Sequence, residues 1–170
     1  MLLIALTALM MVSHWMVRGV EAMPSAAVFA ALIAWLALID ARRAILPNAV
    51  TYALILCGLA DAALSDASNL VGRSLGAAIG FAAFAVLSGA YERFRGRVGL
   101  GMGDAKFLAG VGAWLGWALL PTVVMIASLS ALLWAMPRIW QNAPDSLITI
   151  RFGPFLCVGA WSGWLMVPTF

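Results

Sequence analysis

Charged residues divide the chain into a few long apolar stretches. Met1–Val17 carries no charge before Arg18, Ala22–Ile39 lies between Glu21 and Asp40, and Ala44–Ala60 lies between Arg43 and Asp61. Ser74–Tyr91 separates Arg73 from Glu92, Phe107–Pro137 separates Lys106 from Arg138, and Phe152–Phe170 follows Arg151. A membrane-spanning helix needs about 20 mostly apolar residues, within a range of roughly 17–25. Five of the runs suit one span each. The run Phe107–Pro137, at 31 residues, is too long for one ordinary span. Pro121, directly after Leu119-Leu120, supplies a break, since proline removes a helix donor and clashes with the preceding turn. The pattern therefore predicts two helices there, over about 103–119 and 121–138. The expected fold is all-α: a polytopic transmembrane helical bundle of about seven spans in one membrane domain, 1–170, with 1–20 as an additional N-terminal helix. Met1–Val17 lacks the basic start and small-residue cleavage site of a signal peptide.

The basic residues test this count. Seven spans place Arg42, Arg43, Arg93, Arg95, Arg97, Lys106, Arg138 and Arg151 on one side and only Arg18 and Arg73 on the other. Merging the two helices around Pro121 would move Arg138 and Arg151 across and weaken the bias from eight against two to six against four. Lysine and arginine accumulate in cytoplasmic loops. The richer side is therefore expected to be cytoplasmic, with the N-terminus inside.

Composition agrees. The chain is 65% hydrophobic and 10% charged, with a mean hydropathy of +1.03. Soluble domains average about 45–50% apolar and about 25% charged residues, so a water-soluble enzyme and a disordered segment are both excluded. The net charge of +3 is no nucleic-acid signature, because the basic residues fall between apolar runs. Cys57 and Cys157 lie inside those runs and are too few for a four-ligand zinc site. Gly76/Gly80, Gly112/Gly116 and Gly159/Gly163 recur at spacing four, which reads as close helix packing in lipid. His14, the lone histidine, reads as an interfacial polar residue near the end of the first run.

Ionisable groups near a bilayer are costly, so each needs a reason. Asp61, Asp66 and Asp145 read as solvated groups at helix ends or in loops, and Glu92 as part of a charge-mixed loop. Asp40 stands apart, because it ends a long apolar run and opens Asp40-Ala-Arg-Arg-Ala-Ile-Leu-Pro-Asn48. Asp104 closes the stretch Gly99-Leu-Gly101-Met-Gly103-Asp104 just before a helix. A purely structural account would make Asp104 a helix N-cap and Asp40 an interfacial charge paired with Arg42 or Arg43. The glycines read either as a flexible loop or as backbone free to take angles closed to other residues. Pro47-Asn48 reads as the start of the next helix. Lys106 would lie about 200° around a helix from Asp104, so a direct ion pair is not expected. It reads as snorkelling to headgroups or meeting an acidic group on a substrate.

Three patterns occur in order on the same expected side. They are Asp40 with Arg42-Arg43-x-Ile45-x-Pro47-Asn48, Gly101-Met-Gly103-Asp104-Ala-Lys106-Phe-Leu108, and Arg151-Phe-Gly153-Pro154-Phe155-Leu156. Together they resemble the type IV prepilin peptidase family, membrane aspartic proteases with a Gly-x-Gly-Asp motif, over about residues 30 to 165. The resemblance implies a peptidase core over 24–170, with Asp40 and Asp104 as the catalytic pair and Gly101, Gly103, Lys106, Pro47, Asn48, Gly153 and Pro154 as supporting motif residues. It implies removal of prepilin or pseudopilin leaders at the cytoplasmic face of the bacterial inner membrane, with no cofactor and no metal. Larger members carry a cysteine-rich cytoplasmic segment early in the chain and N-methylate the processed pilin. No loop ahead of Asp40 holds such a segment, so the chain is similar to the compact Flp, or tight-adherence, type. The cytoplasmic loops are basic like the leader, so the expected recognition surface is the substrate's apolar helix against membrane helices. Other readings are a small proton-coupled transporter, which would place acids in mid-span and show inverted repeats, and a non-catalytic assembly protein. Signal-peptide-peptidase-type enzymes share Gly-x-Gly-Asp, but their Pro-Ala-Leu element is absent.

Overall fold

The computed structural model describes residues 1–18, 23–43, 45–65, 69–95, 101–140 and 151–167. Their regular elements are seven helices: α1 (Leu2–Arg18), α2 (Met23–Arg43), α3 (Asn48–Ser65), α4 (Asn69–Arg95), α5 (Met102–Leu115), α6 (Leu120–Trp140) and α7 (Gly153–Met166). Each forms over one of the apolar stretches, because a backbone surrounded by hydrocarbon must satisfy its own hydrogen bonds. Gly99, Glu21, Asp66, Arg97 and Asp145 lie outside the described residues.

Three boundaries differ from the expectation. The division between α5 and α6 is made by Gly116, not by Pro121. Gly116 takes φ 76°, a left-handed conformation that favours glycine, and its N–H returns to the Gly112 carbonyl at 2.8 Å. Pro121 is the second residue of α6, where a missing N–H costs nothing. At the other end of the bundle, α4 runs four residues beyond its apolar run, so Glu92 and Arg93 sit on its last turns and not in a loop.

Among the described residues, four helices are long and apolar enough to cross a membrane: Met23–Arg43, Asn48–Ser65, Asn69–Phe94 and Leu120–Pro137. α5 and α7 have 14 residues each, about 21 Å at 1.5 Å per residue, less than the roughly 30 Å hydrocarbon core. Burial explains how α5 tolerates this, since every residue of Phe107–Leu115 is buried. α5 packs mainly against α4 and α3; α7 packs mainly against α6 and α2, and α1 packs against α2. Ile4, Leu9, Leu56, Val86, Leu129 and Leu133 point outward and are more than half exposed. Such apolar patches suit a lipid-facing surface.

Glycine allows the closest approaches. A Cβ on Gly80 would lie 2.6 Å from the Leu108 carbonyl oxygen, and Cβ atoms on Gly76 and Gly112 would each enter the other's backbone. Gly76, Gly80 and Gly112 are therefore packing residues, as expected, and seat α4 directly on α5, whereas Gly116 serves to end α5.

The direction of each helix follows from its contacts. Ser25 and Arg73 both meet Asp61, which puts the start of α2, the end of α3 and the start of α4 at one end. Asp40 meets Gly153, and Lys106 meets Asn48, which gathers the end of α2 with the starts of α3, α5 and α7 at the other. Asp61 is thus not merely solvated. It pairs with Arg73 at 2.7 Å and accepts the Ser25 hydroxyl. His14 also departs from expectation: it is fully buried, and its Nδ1 accepts the Trp164 indole N–H at 3.2 Å. Beside it, Trp161 donates to the Ser13 hydroxyl at 2.9 Å, so two indoles of α7 fasten α1.

Candidate active site

Asp40 occupies the last turn of α2 and is only 7% exposed. A buried carboxyl needs hydrogen bonds, and the start of α7 supplies one. The Gly153 backbone N–H donates to Asp40 Oδ2 at 3.1 Å. Gly153 opens α7, where free N–H groups and the positive end of the helix favour an acidic partner. Pro154, next in line, fits a first turn because it has no N–H to leave unpaired. Glycine at 153 is a spatial requirement, since a Cβ there would lie 2.6 Å from Asp40 Oδ2. Asp40 is therefore paired with the α7 amide and not with Arg42 or Arg43, both of which are exposed.

Asp104 sits in the first turn of α5, inside the helix and not at its cap. Gly101 is the N-cap residue, and its carbonyl accepts the Asp104 N–H at 3.0 Å. The Gly101 N–H in turn donates to the Asp104 carboxyl, a reciprocal arrangement like a capping box. The carboxyls of Asp40 and Asp104 lie within coulombic reach of each other. Two acids from different helices thus lie at the same end of the bundle, within electrostatic reach of one another.

The motif glycines work through size. Gly101 has φ −72° and ψ 141°, open to most residues, and among the described residues only Gly116 has a positive φ. A Cβ on Gly103, however, would come 2.9 Å from Leu46 Cβ. Its absence lets the first turn of α5 lie on the segment before α3. That segment ends in Pro47, whose carbonyl accepts the N–H groups of Val50 and Thr51 at 3.2 Å each, so Pro47 does start α3. Lys106 completes the junction. Its ammonium donates to Asn48 Oδ1 at 2.7 Å and lies 5.6 Å from the centre of the Tyr52 ring. Lys106 thus ties α5 to α3.

All nine motif residues lie at one end, where Asp40 meets Gly153 (the residue before Pro154), Asp104 meets Gly101, Gly103 lies against Leu46 just before Pro47, and Lys106 bonds Asn48. Sequence reasoning placed Arg151 on the basic side and at the head of the third pattern, but gave it no role. Arg151 Nη1 donates to the Asp40 carbonyl at 3.3 Å and to the Ala41 carbonyl. Its place immediately before Phe-Gly-Pro was the available signal. Among the described residues, no three metal-ligating side chains cluster. The arrangement offers two carboxyls, one fixed by an amide, beside a basic rim formed by Arg42, Arg43, Lys106 and Arg151.

Residues 27–136, which hold Asp40 and Asp104, match the family model of the Type IV leader peptidase family. The chain is 36% identical over 135 residues to the leader peptidase HopD of Escherichia coli, covering 79% of this chain and 87% of that protein. It is 34% identical over 151 residues to the prepilin leader peptidase/N-methyltransferase of Dickeya chrysanthemi, and 32% identical over 151 residues to that of Pectobacterium carotovorum subsp. carotovorum. In both cases the match covers 85% of this chain and 53% of the relative, so the chain spans about half of their length. No solved structure matches it.

Proposed function

The chain belongs to the type IV leader peptidase family, and on that premise we propose that it is an aspartic endopeptidase using Asp40 and Asp104 to remove prepilin leaders at the cytoplasmic membrane face. The observation that carries this reading is that Asp40, held by the Gly153 amide, and Asp104 lie at the same end of the bundle on α2 and α5, within electrostatic reach of one another.

Two acids that share a site divide the work. The ionised carboxyl takes a proton from a water molecule as its oxygen attacks the scissile carbonyl carbon. The protonated carboxyl donates to the carbonyl oxygen; as the C–N bond breaks, the carboxyl that took the water proton passes it to the leaving amine, and the diol hydroxyl returns its proton to the other carboxylate as the new carbonyl forms. The pair titrates as a unit, as neighbouring carboxyls do. Gly153 binds Oδ2 of Asp40, which leaves Oδ1 to face the water. No cofactor is required, since water is the co-reactant.

The basic residues Arg42, Arg43, Arg93, Lys106 and Arg151 lie at the site's end of the bundle, which supports a cytoplasmic orientation. The substrate we favour is a prepilin of the Flp type, recognised through its apolar helix. Methylation, which is part of the name of relatives about twice as long, forms no part of the proposal. Co-expression with a prepilin and a gel-mobility readout tests it. Asp40→Asn and Asp104→Asn should each abolish leader removal while the protein still inserts. Full processing by either variant would overturn the role of that residue.

A further inference from the structure

The last carbonyls of a helix lack partners within it. At the end of α2 the carbonyls of Asp40 and Ala41 accept Nη1 of Arg151. The arginine cation also complements the negative pole of α2 and lies within coulombic reach of the Asp40 carboxyl. It forms no direct ion pair with that carboxyl; among the described residues the ion pair is Arg73 with Asp61. The carboxyl is thereby left to its other partner, the Gly153 amide two residues further along. One short segment grips both the backbone and the side chain of Asp40. Residues 27–136, the part matched by the family model, contain Asp40 but not this segment.

Resting on the aspartic reading above, we propose that Arg151 is a positioning residue for Asp40, holding the backbone at the end of α2 so that the Gly153 amide aims the carboxyl at Asp104. It acts through Asp40 and does not touch the reacting atoms. A guanidinium that binds successive carbonyls fixes a chain end against rotation. Displacing a catalytic group by about 1 Å can cost about 100-fold in rate.

The test is steady-state cleavage of a purified prepilin by the full-length protein in detergent, comparing wild type, Arg151→Met, Arg151→Lys and Asp40→Asn. Arg151→Met should lower kcat by about 10- to 100-fold with KM unchanged. Arg151→Lys, which keeps a cationic donor, should recover most of that loss. Wild-type kcat in Arg151→Met would overturn the proposal, as would a rise in KM alone, which would make Arg151 a substrate-binding group. A loss that Arg151→Lys shares in full, with both variants melting early, would overturn it as well by making the role one of stability alone. If Arg151→Met is not recovered folded, Arg151→Gln takes its place with the same criteria. Asp40→Asn separates the two levels. If it cleaves normally, the aspartic reading fails; if it is dead while Arg151→Met is fully active, only the positioning role fails.

Discussion

The backbone amide of Gly153 and the carboxylate of Asp40 are 113 positions apart in sequence and 3.1 Å apart in the fold. This contact joins α7 to α2 at the point where the chemistry is proposed. It leaves no room for a side chain at 153.

Gly153→Ala is therefore expected to impair cleavage without unfolding the bundle. The added Cβ would sit 2.6 Å from Asp40 Oδ2, so the carboxyl must move. Leader removal in membranes should slow by about 10- to 100-fold, with the variant still present at wild-type level by immunoblot. Unchanged cleavage would mean that the amide does not orient Asp40.

Glycines elsewhere should separate by their surroundings. Gly112→Ala would drive a Cβ into the backbone at Gly76, whereas a Cβ on Gly72 meets nothing within 4 Å. Gly112→Ala should cost about 1–3 kcal/mol through overpacking. Gly72→Ala should be neutral, or gain up to about 1 kcal/mol from helix propensity. Thermal unfolding in detergent of the two variants checks the contrast, and equal midpoints would refute close packing of α4 on α5.

The bond from Lys106 to Asn48 should appear as coupling between two substitutions. Lys106→Met and Asn48→Ala each remove the same 2.7 Å contact. A double-mutant cycle on stability should give a coupling of about 0.5–1.5 kcal/mol, kept modest because the pair is exposed. Strict additivity would show that the junction of α3 and α5 does not depend on it.

His14→Leu tests the fastening of α1. It removes the acceptor of the Trp164 indole N–H at roughly conserved volume. Interhelical hydrogen bonds in membranes are worth about 0.6 kcal/mol on average and up to about 1.7. The melting point should fall accordingly, while cleavage by the folded fraction stays intact because His14 lies at the end away from Asp40. A variant that is stable but inactive would contradict this placement.

Much of the architecture was legible along the chain. Apolar runs bounded by charge, with one run divided, predict seven helices, and seven are present among the described residues. Spacing four among glycines predicts close packing, and Gly76 and Gly112 meet as expected. The misjudged features share one cause, which is that their partners are remote in sequence. Nothing local tells that Asp61 is met by Ser25 and Arg73, or that His14 is enclosed by two indoles. The break before α6 was misplaced for a related reason. Proline costs a helix a hydrogen bond in its interior but not in its first turn, and Pro121 lies in a first turn, where it is harmless.

By itself the sequence determined that the chain forms apolar helices, how many there are, and that Asp40 and Asp104 lie near one end of them. Those properties depend on hydrophobicity and backbone hydrogen bonding, which act over one turn or one span. Only the tertiary structure decided that the two carboxyls lie within electrostatic reach of each other, that the Gly153 amide bonds one of them, that Arg151 bonds the same helix end, and that Lys106 bonds Asn48. Such contacts depend on how helices rotate and tilt against one another. Close packing of side chains, with glycine where backbones must touch, sets that rotation, and no periodicity along a single helix encodes it.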